Sequence, residues 1–360
     1  FTAVLRHRFT VLSITVFAGE FSMKNKRVND LLSMPVIIGA AGVAGQTEGE
    51  GPLSERFDYV FADDGMGENT WESAEKALCR KAFETATAKS GLAYEDIGIV
   101  FGGDLVNQCT PSAFGLKDYG IPFAGLFGAC STFALGLALA AVFVDRKIVR
   151  FAAAEASSHF CSAEKQFRMP LEYGGQRPPT AQRTVSGAGA CILGQKENGV
   201  CVKKVMFGKI CDRGVTDATN FGAVMAPAAA DTAAVFLQET KTSPTDYGMI
   251  LTGDLGKVGS ELMTQLLLEE NKIDISGVQT DCGNIIYDDV CQDVHCGGSG
   301  CGCSASVVAS HIYRKIADGE TDNVLFIGTG ALMSPLSSLQ GDTVPGIAHA
   351  VLIGRKGNCV

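Results

Sequence analysis

Histidine is scarce in this chain, with five in 360 residues, so an imidazole base or a histidine-rich metal centre has few places to come from. Positive charge is short as well: 30 Lys and Arg against 39 Asp and Glu leave a formal charge of −9. With no basic run and no RNA-reading motif, nucleic-acid binding is excluded. No phosphate-cradling loop, dinucleotide fingerprint or EF-hand loop is found. Cys291, Cys296, Cys301 and Cys303 crowd one region, but not with the paired C-x-x-C spacing of structural zinc. The nearby Asp288, Asp289 and Asp293 do not form a calcium loop either. Long apolar runs are also missing. Val11–Ala18 is apolar but too short to span a bilayer, and no other segment reads as transmembrane. Arg6 and Arg8 precede that run, which leaves a signal peptide as one reading. The other reading takes Met23-Lys24-Asn25-Lys26 as the start and residues 1–22 as an extension without function.

What remains is a hydrophobic content of 46% with 19% charged residues, the composition of a compact globular protein. The length suggests two similar domains or one large α/β unit. Thirteen cysteines are odd in number and scattered, several of them (Cys79, Cys191, Cys282) inside apolar runs. They read as small reduced hydrophobes in a reducing compartment, with no disulfides expected.

The most informative stretch is Phe127-Gly128-Ala129-Cys130-Ser131-Thr132, which runs directly into the apolar Phe133–Ala141. It places a thiol at the head of a buried helix, where the helix dipole and free N–H groups favour thiolate. The chain also repeats itself. Gly103-Asp104-Leu105 follows a predicted strand Ile97–Gly102, and Gly253-Asp254-Leu255 follows a predicted strand Tyr247–Thr252. Cys130-Ser131 opens one apolar helix, Cys130–Val144, and Cys303-Ser304 opens another, Cys303–Ile316. Predicted strands Ile148–Ala154 and Val324–Gly328 follow those helices, then Ala188–Gly194 and Ile347–Gly354. Alternating strands and helices imply βα units in mixed or parallel sheets. Helices apolar all round belong between two sheets. Thr70–Ser90 instead carries an apolar stripe (Ala74, Leu78, Ala82) with charges opposite, and is expected on the outside, N-capped by Asn69 and stopped at Gly91.

This duplicated plan, with a cysteine heading a buried helix, resembles the thiolase-like superfamily over roughly residues 30–358. The resemblance implies an α/β five-layer αβαβα fold, with one half over residues 23–199 and the second over 200–360. Longer motifs narrow it. Gly103–Gln108, Phe127–Thr132, Ser157-Ser158-His159, Gln166-Phe167-Arg168, Glu172–Gln176, Met225–Thr232 and Gly297–Cys301 resemble the stage V sporulation protein AD family. That resemblance implies dipicolinate handling in spore-forming bacteria, with dipicolinic acid or its calcium chelate as ligand. It further implies no cofactor, a place at the forespore or spore inner membrane as a soluble peripheral component beside the membrane proteins of the same transport system, and a homodimer.

A cysteine nucleophile needs a base and oxyanion donors. Thiolase-like enzymes take these partners from the second half. Here the matching stretches are Thr280–Ile285 and Gly297–Gly302, the first without histidine and the second with neither His nor Asn. The expectation is therefore a vestigial nucleophile position at Cys130 and a pocket that binds without turnover. A condensing enzyme that acylates Cys130 is the alternative, and a purely structural docking partner is a third reading. A flat dicarboxylate calls for cationic forks or N–H donors and an apolar slot. The expected ligand contacts are Asp104, Asn107 and Gln108 at a strand end; Cys130 at the helix head; His159 just past a strand; Gln166, Arg168 and Arg177 in the long Cys161–Thr184 connection; and Ser299. Asp104 has a competing role as the cap of its own turn. Arg168 and Arg177 are the preferred carboxylate anchors. His349, in an apolar strand, reads as a core residue.

Overall fold

The computed structural model describes residues 26–167 and 177–357. Ten strands build its centre. Those of the first half are β1 (Val36–Ala44), β2 (Ile99–Gly103), β3 (Phe123–Gly125), β4 (Ala152–Ser158) and β5 (Gly187–Gly194). Those of the second half are β6 (Val200–Met206), β7 (Met249–Thr252), β8 (Gln279–Asp281), β9 (Val324–Ala331) and β10 (Gly346–Arg355). The first five pair in the order β3-β2-β4-β5-β1, and the second five in the order β8-β7-β9-β10-β6. The senses match as well: the three strands at the far end of each row run parallel, and the last two pairings are antiparallel. The sequence repeat is thus a repeat of topology. The two rows meet where Val36 of β1 pairs with Cys201 of β6.

Strand alternation sends successive side chains to opposite faces, and here each face has its own core. In β5, Ala188, Ala190 and Ile192 join a cluster with Ala74, Leu78 and Ala82 of the outer helix α1 (Trp71–Ser90). Cys191 and Leu193 of the same strand point inward instead. In β10, Ala348, Ala350 and Leu352 pack under the outer helices α4 (Phe221–Thr240) and α5 (Gly256–Leu266), while Val351 and Ile353 face inward. The inner cluster is filled by α2 (Thr132–Asp145) and α6 (Cys301–Val307, continuing through a π turn to Ala317). The result is five layers: α1, sheet, α2 with α6, sheet, α4 with α5. Burial on most sides explains why α2 before Asp145 and the Cys301–Val307 part of α6 carry no charged residue. It also explains two strand glycines: a Cβ at Gly189 would stand 2.0 Å from the Ala305 carbonyl oxygen of α6, and one at Gly328 would stand 2.3 Å from Ala134 Cβ of α2.

Several expectations shift. Thr70, not Asn69, caps α1, its hydroxyl accepting the Ser73 N–H at 3.2 Å. Gly91 does stop that helix, in the left-handed conformation at φ 72°. The strand expected from Ile148 begins at Ala152, because Lys147 turns the chain at φ 56° and leaves Ile148 exposed. Helix α4 is long and apolar enough by composition to cross a membrane, which the sequence reading passed over. Its apolar residues are instead spent on the core cluster under β9 and β10. The described cysteines are all free thiols.

Candidate functional site

The head of α2 opens onto a cavity of about 220 Å³ between the two halves. Its walls are Leu105, Phe127, Ala163, Phe167, Phe221, Leu332 and Met333, and its polar points are Cys130, Glu164, Thr184 and Ser299. A short parallel bridge of Gly298–Ser299 with Arg183–Thr184 puts the two hydroxyl residues side by side. Gly300, at φ 103°, then turns the chain into α6, where a Cβ would press to 2.7 Å from Ser158 Oγ.

Ala129, at φ 51°, opens the single turn Ala129–Ser131 that carries Cys130 into α2. Cys130 Sγ lies 3.8 Å from Ser299 Oγ. The Ser299 hydroxyl donates to Asp254 Oδ2 at 2.9 Å, which also accepts the Gly300 N–H at 3.0 Å. Thr329 donates to Asp254 Oδ1 at 2.7 Å. Gln182 ties this floor together by donating to the carbonyls of Asp254 and Gly298. Burial and the adjacent Asp254 carboxyl push the Cys130 thiol well above its usual range. The expected thiolate is therefore corrected: desolvation and a neighbouring acid outweigh the helix end.

No histidine lines this cavity among the described residues. His159 is fully buried elsewhere, stacked on Trp71 with ring centroids 5.7 Å apart. Its Nδ1 accepts the Cys161 N–H, so Nε2 carries the proton and donates to the Asp64 carbonyl at 2.8 Å. Burial lowers its pKa, and both ring nitrogens are taken up by backbone, which ties two segments of the chain together. His349 is the core residue expected, accepting the Gly208 N–H, with its pKa lowered to about 4 by burial.

The other expected contacts divide. Cys130 and Ser299 meet at the cavity floor. Asp104 is buried away from it, its carboxylate accepting the N–H groups of Val106 and Ser112, so it caps its own turn. Asn107 and Gln108 are exposed and absent from the lining. Gln166 holds their loop instead, accepting the Asn107 N–H at 3.0 Å and donating to the Leu105 carbonyl at 3.2 Å, and so positions Leu105 against the cavity. Arg177 pairs with Asp293 at 3.1 Å and lies outside the lining. Arg168 and Glu172–Gln176 lie outside the described residues. Asp281, in the stretch where a base would stand, is buried and caps backbone. It accepts from Thr252, Leu255, Gly256 and Asn284, and burial pushes it up to about 7. No three His, Cys, Asp or Glu side chains are grouped to hold a metal among the described residues, the four clustered cysteines included.

Comparison with known proteins now has a geometry to meet. The family model of stage V sporulation protein AD matches residues 25–354. The stage V sporulation protein AD of Bacillus subtilis (strain 168) is 40% identical over 324 residues, covering 90% of this chain and 95% of that one. The chain belongs to the stage V sporulation protein AD family. The solved 3-oxoacyl-[acyl-carrier-protein] synthase III of Aquifex aeolicus VF5 covers 89% of this chain and 99% of its own, with a TM-score of 0.54 at 13% identity. A solved variant of OleA from Xanthomonas campestris covers 90% of this chain and 100% of its own, with a TM-score of 0.55 at 14% identity. At such identities the likeness is one of fold, and it is the thiolase-like fold that the repeated five-layer plan implied.

Within that family frame, three site features escaped the sequence reading. Asp254 was seen as a repeat landmark, yet it anchors the floor hydroxyl. Glu164 faces the cavity from α3 (Phe160–Phe167), a helix that lies inside what read as a long loop. Phe221, Leu332 and Met333 reach the wall from the second half. The repeat offered a signal for Asp254, since Asp104 and Asp254 stand just past matching strands.

Proposed function

We propose that this protein binds dipicolinic acid, or its calcium chelate, without chemical turnover. It would act in loading the developing spore, as the soluble component of a membrane transport complex. Membership of a sporulation family supports the setting, and the cavity supports the mode. The single observation that carries the reading is the surroundings of Cys130. A thiol raised by burial and by the Asp254 carboxyl, with Ser299 and Asp254 as its side-chain partners and no imidazole in the described lining, lacks the histidine base that such a nucleophile uses. Losing such a partner costs orders of magnitude in rate, while an apolar slot between Phe127, Phe167 and Phe221 suits a flat ring. Calorimetric titration with dipicolinate tests this. Saturable heat is expected, and its absence at millimolar ligand refutes the reading.

A second reading, a condensing enzyme acting through Cys130, draws on the condensing-enzyme titles of the structural neighbours and on the thiol kept at the helix head. It requires a mass shift on Cys130 after exposure to an acyl thioester, lost in Cys130→Ala. We further propose a homodimer joined along the free edge of β3, where Phe114, Phe123 and Phe127 are exposed. Sedimentation should give twice the chain mass. Attachment to the inner membrane is assigned to partner proteins, since α4 is committed to the core, so the isolated protein should not float with liposomes.

A further inference from the structure

Asp254 is 1% exposed, and every polar group around it is aimed to donate. The Gly300 N–H, which cannot accept, points at Oδ2. The Thr329 oxygen already accepts the Asp254 N–H at 3.2 Å, and its own proton goes to Oδ1. The Ser299 hydroxyl has one proton, and the third place on the carboxylate takes it. Ser299 therefore turns lone pairs, not its proton, toward Cys130 and the cavity. The Cys130 S–H has Ser299 Oγ, at 3.8 Å, and the Asp254 carboxylate as its acceptors, so its proton too is drawn into the floor and away from the ligand space. Among the described residues, the titratable groups around Asp254 are Cys130 at the head of α2, Asp281 and Cys282 at the end of β8, and Cys303 on α6, while Glu164 of α3 lines the cavity. None of these is a cation.

We infer that the Cys130–Ser299 corner of the cavity floor is a hydrogen-bond acceptor set by Asp254 and takes its ligand with a proton on the buried end, as a carboxylic acid or a pyridinium N–H, rather than as the bare dianion. This rests on the proposed binding of dipicolinate at Cys130. A bare carboxylate seated there meets lone pairs backed by the buried Asp254 carboxyl; a proton on the ligand turns the contact with Ser299 Oγ into a hydrogen bond. A ligand that is a dianion in solution must then take up a proton as it binds, and its affinity falls about tenfold per pH unit above its second acid dissociation.

The test is calorimetric titration of the full chain with dipicolinate in calcium-free buffers of low and high ionisation enthalpy, at neutral pH. The difference in heats counts protons, and uptake close to one per ligand is expected. Asp254→Asn keeps the shape and removes the charge, so uptake should fall toward zero and binding should persist at high pH. The wild-type count decides the matter even if that variant does not fold. Saturable binding with no proton exchange, or with release, overturns this inference and leaves dipicolinate binding standing. No saturable binding overturns both.

Discussion

Glu155 offers a sharp test of how this core is built. It sits in β4 with 0% exposure, and its polar side-chain neighbours are the Cys79 thiol and the Ser112 hydroxyl, both weak partners for a buried carboxyl. Burial, with help from nearby Asp104, pushes its pKa from 4.5 to about 8. A carboxyl whose folded pKa lies above its unfolded value binds its proton more tightly in the folded state. Its stability contribution is whole below pH 4.5 and is lost as pH rises through about 8. At neutral pH the folded protein must hold a proton that the unfolded chain would release, a cost on the order of 3 kcal/mol rising toward 5 at alkaline pH. Glu155→Gln keeps the shape and abolishes that cost. Thermal unfolding should then show variant and wild type alike near pH 4, with the variant more stable by roughly 5 °C at neutral pH and by more above it. Equal melting at all pH values, or a variant that melts lower as pH rises, would refute the picture of a neutral buried acid.

Other consequences are independent of it. Thr70→Ala should cost about 1 kcal/mol in denaturant unfolding, because it removes the cap of α1, while Asn69→Ala should cost a few tenths at most. Phe133→Ala empties the space where this ring packs 6.4 Å from Phe326 in the central layer, and should cost about 3–5 kcal/mol in the same assay. Gly189→Val drives side-chain atoms into the Ala305 carbonyl, so α6 must leave its seat, and loss of soluble folded protein is expected on expression. Ser162→Ala leaves the buried Glu75 carboxyl without the hydroxyl that reaches it from α3. It should loosen the cavity wall, which amide exchange of Ala163–Phe167 would register as faster exchange.

Much of the architecture was legible because strands and helices left different periods in the chain. The apolar stripe of α1 and the all-round apolarity of α2 and α6 stated which layer each would occupy, and the two Gly-Asp-Leu landmarks do close matching strands. The site was less legible, since which way a side chain turns depends on long-range partners. Asp104 and Asp254 follow the same landmark, yet Asp104 is taken up by its own turn while Asp254 meets Ser299, 45 residues on. His159 stands next to a strand end, as expected of a ligand contact, but Trp71 from another layer captures its ring. The helix head at Cys130 suggested a thiolate because the sequence shows the dipole and not the buried acid behind it.

What occupies the space beside Cys130 separates a binding pocket from an acylation site. A structure of the protein crystallised with dipicolinate answers that directly. The ring is expected in the slot between Phe127 and Phe221, in van der Waals contact with Cys130 Sγ at about 4 Å and not bonded to it. A ligand seated elsewhere with this cavity empty, or an acyl group joined to the Cys130 sulfur, would contradict that expectation.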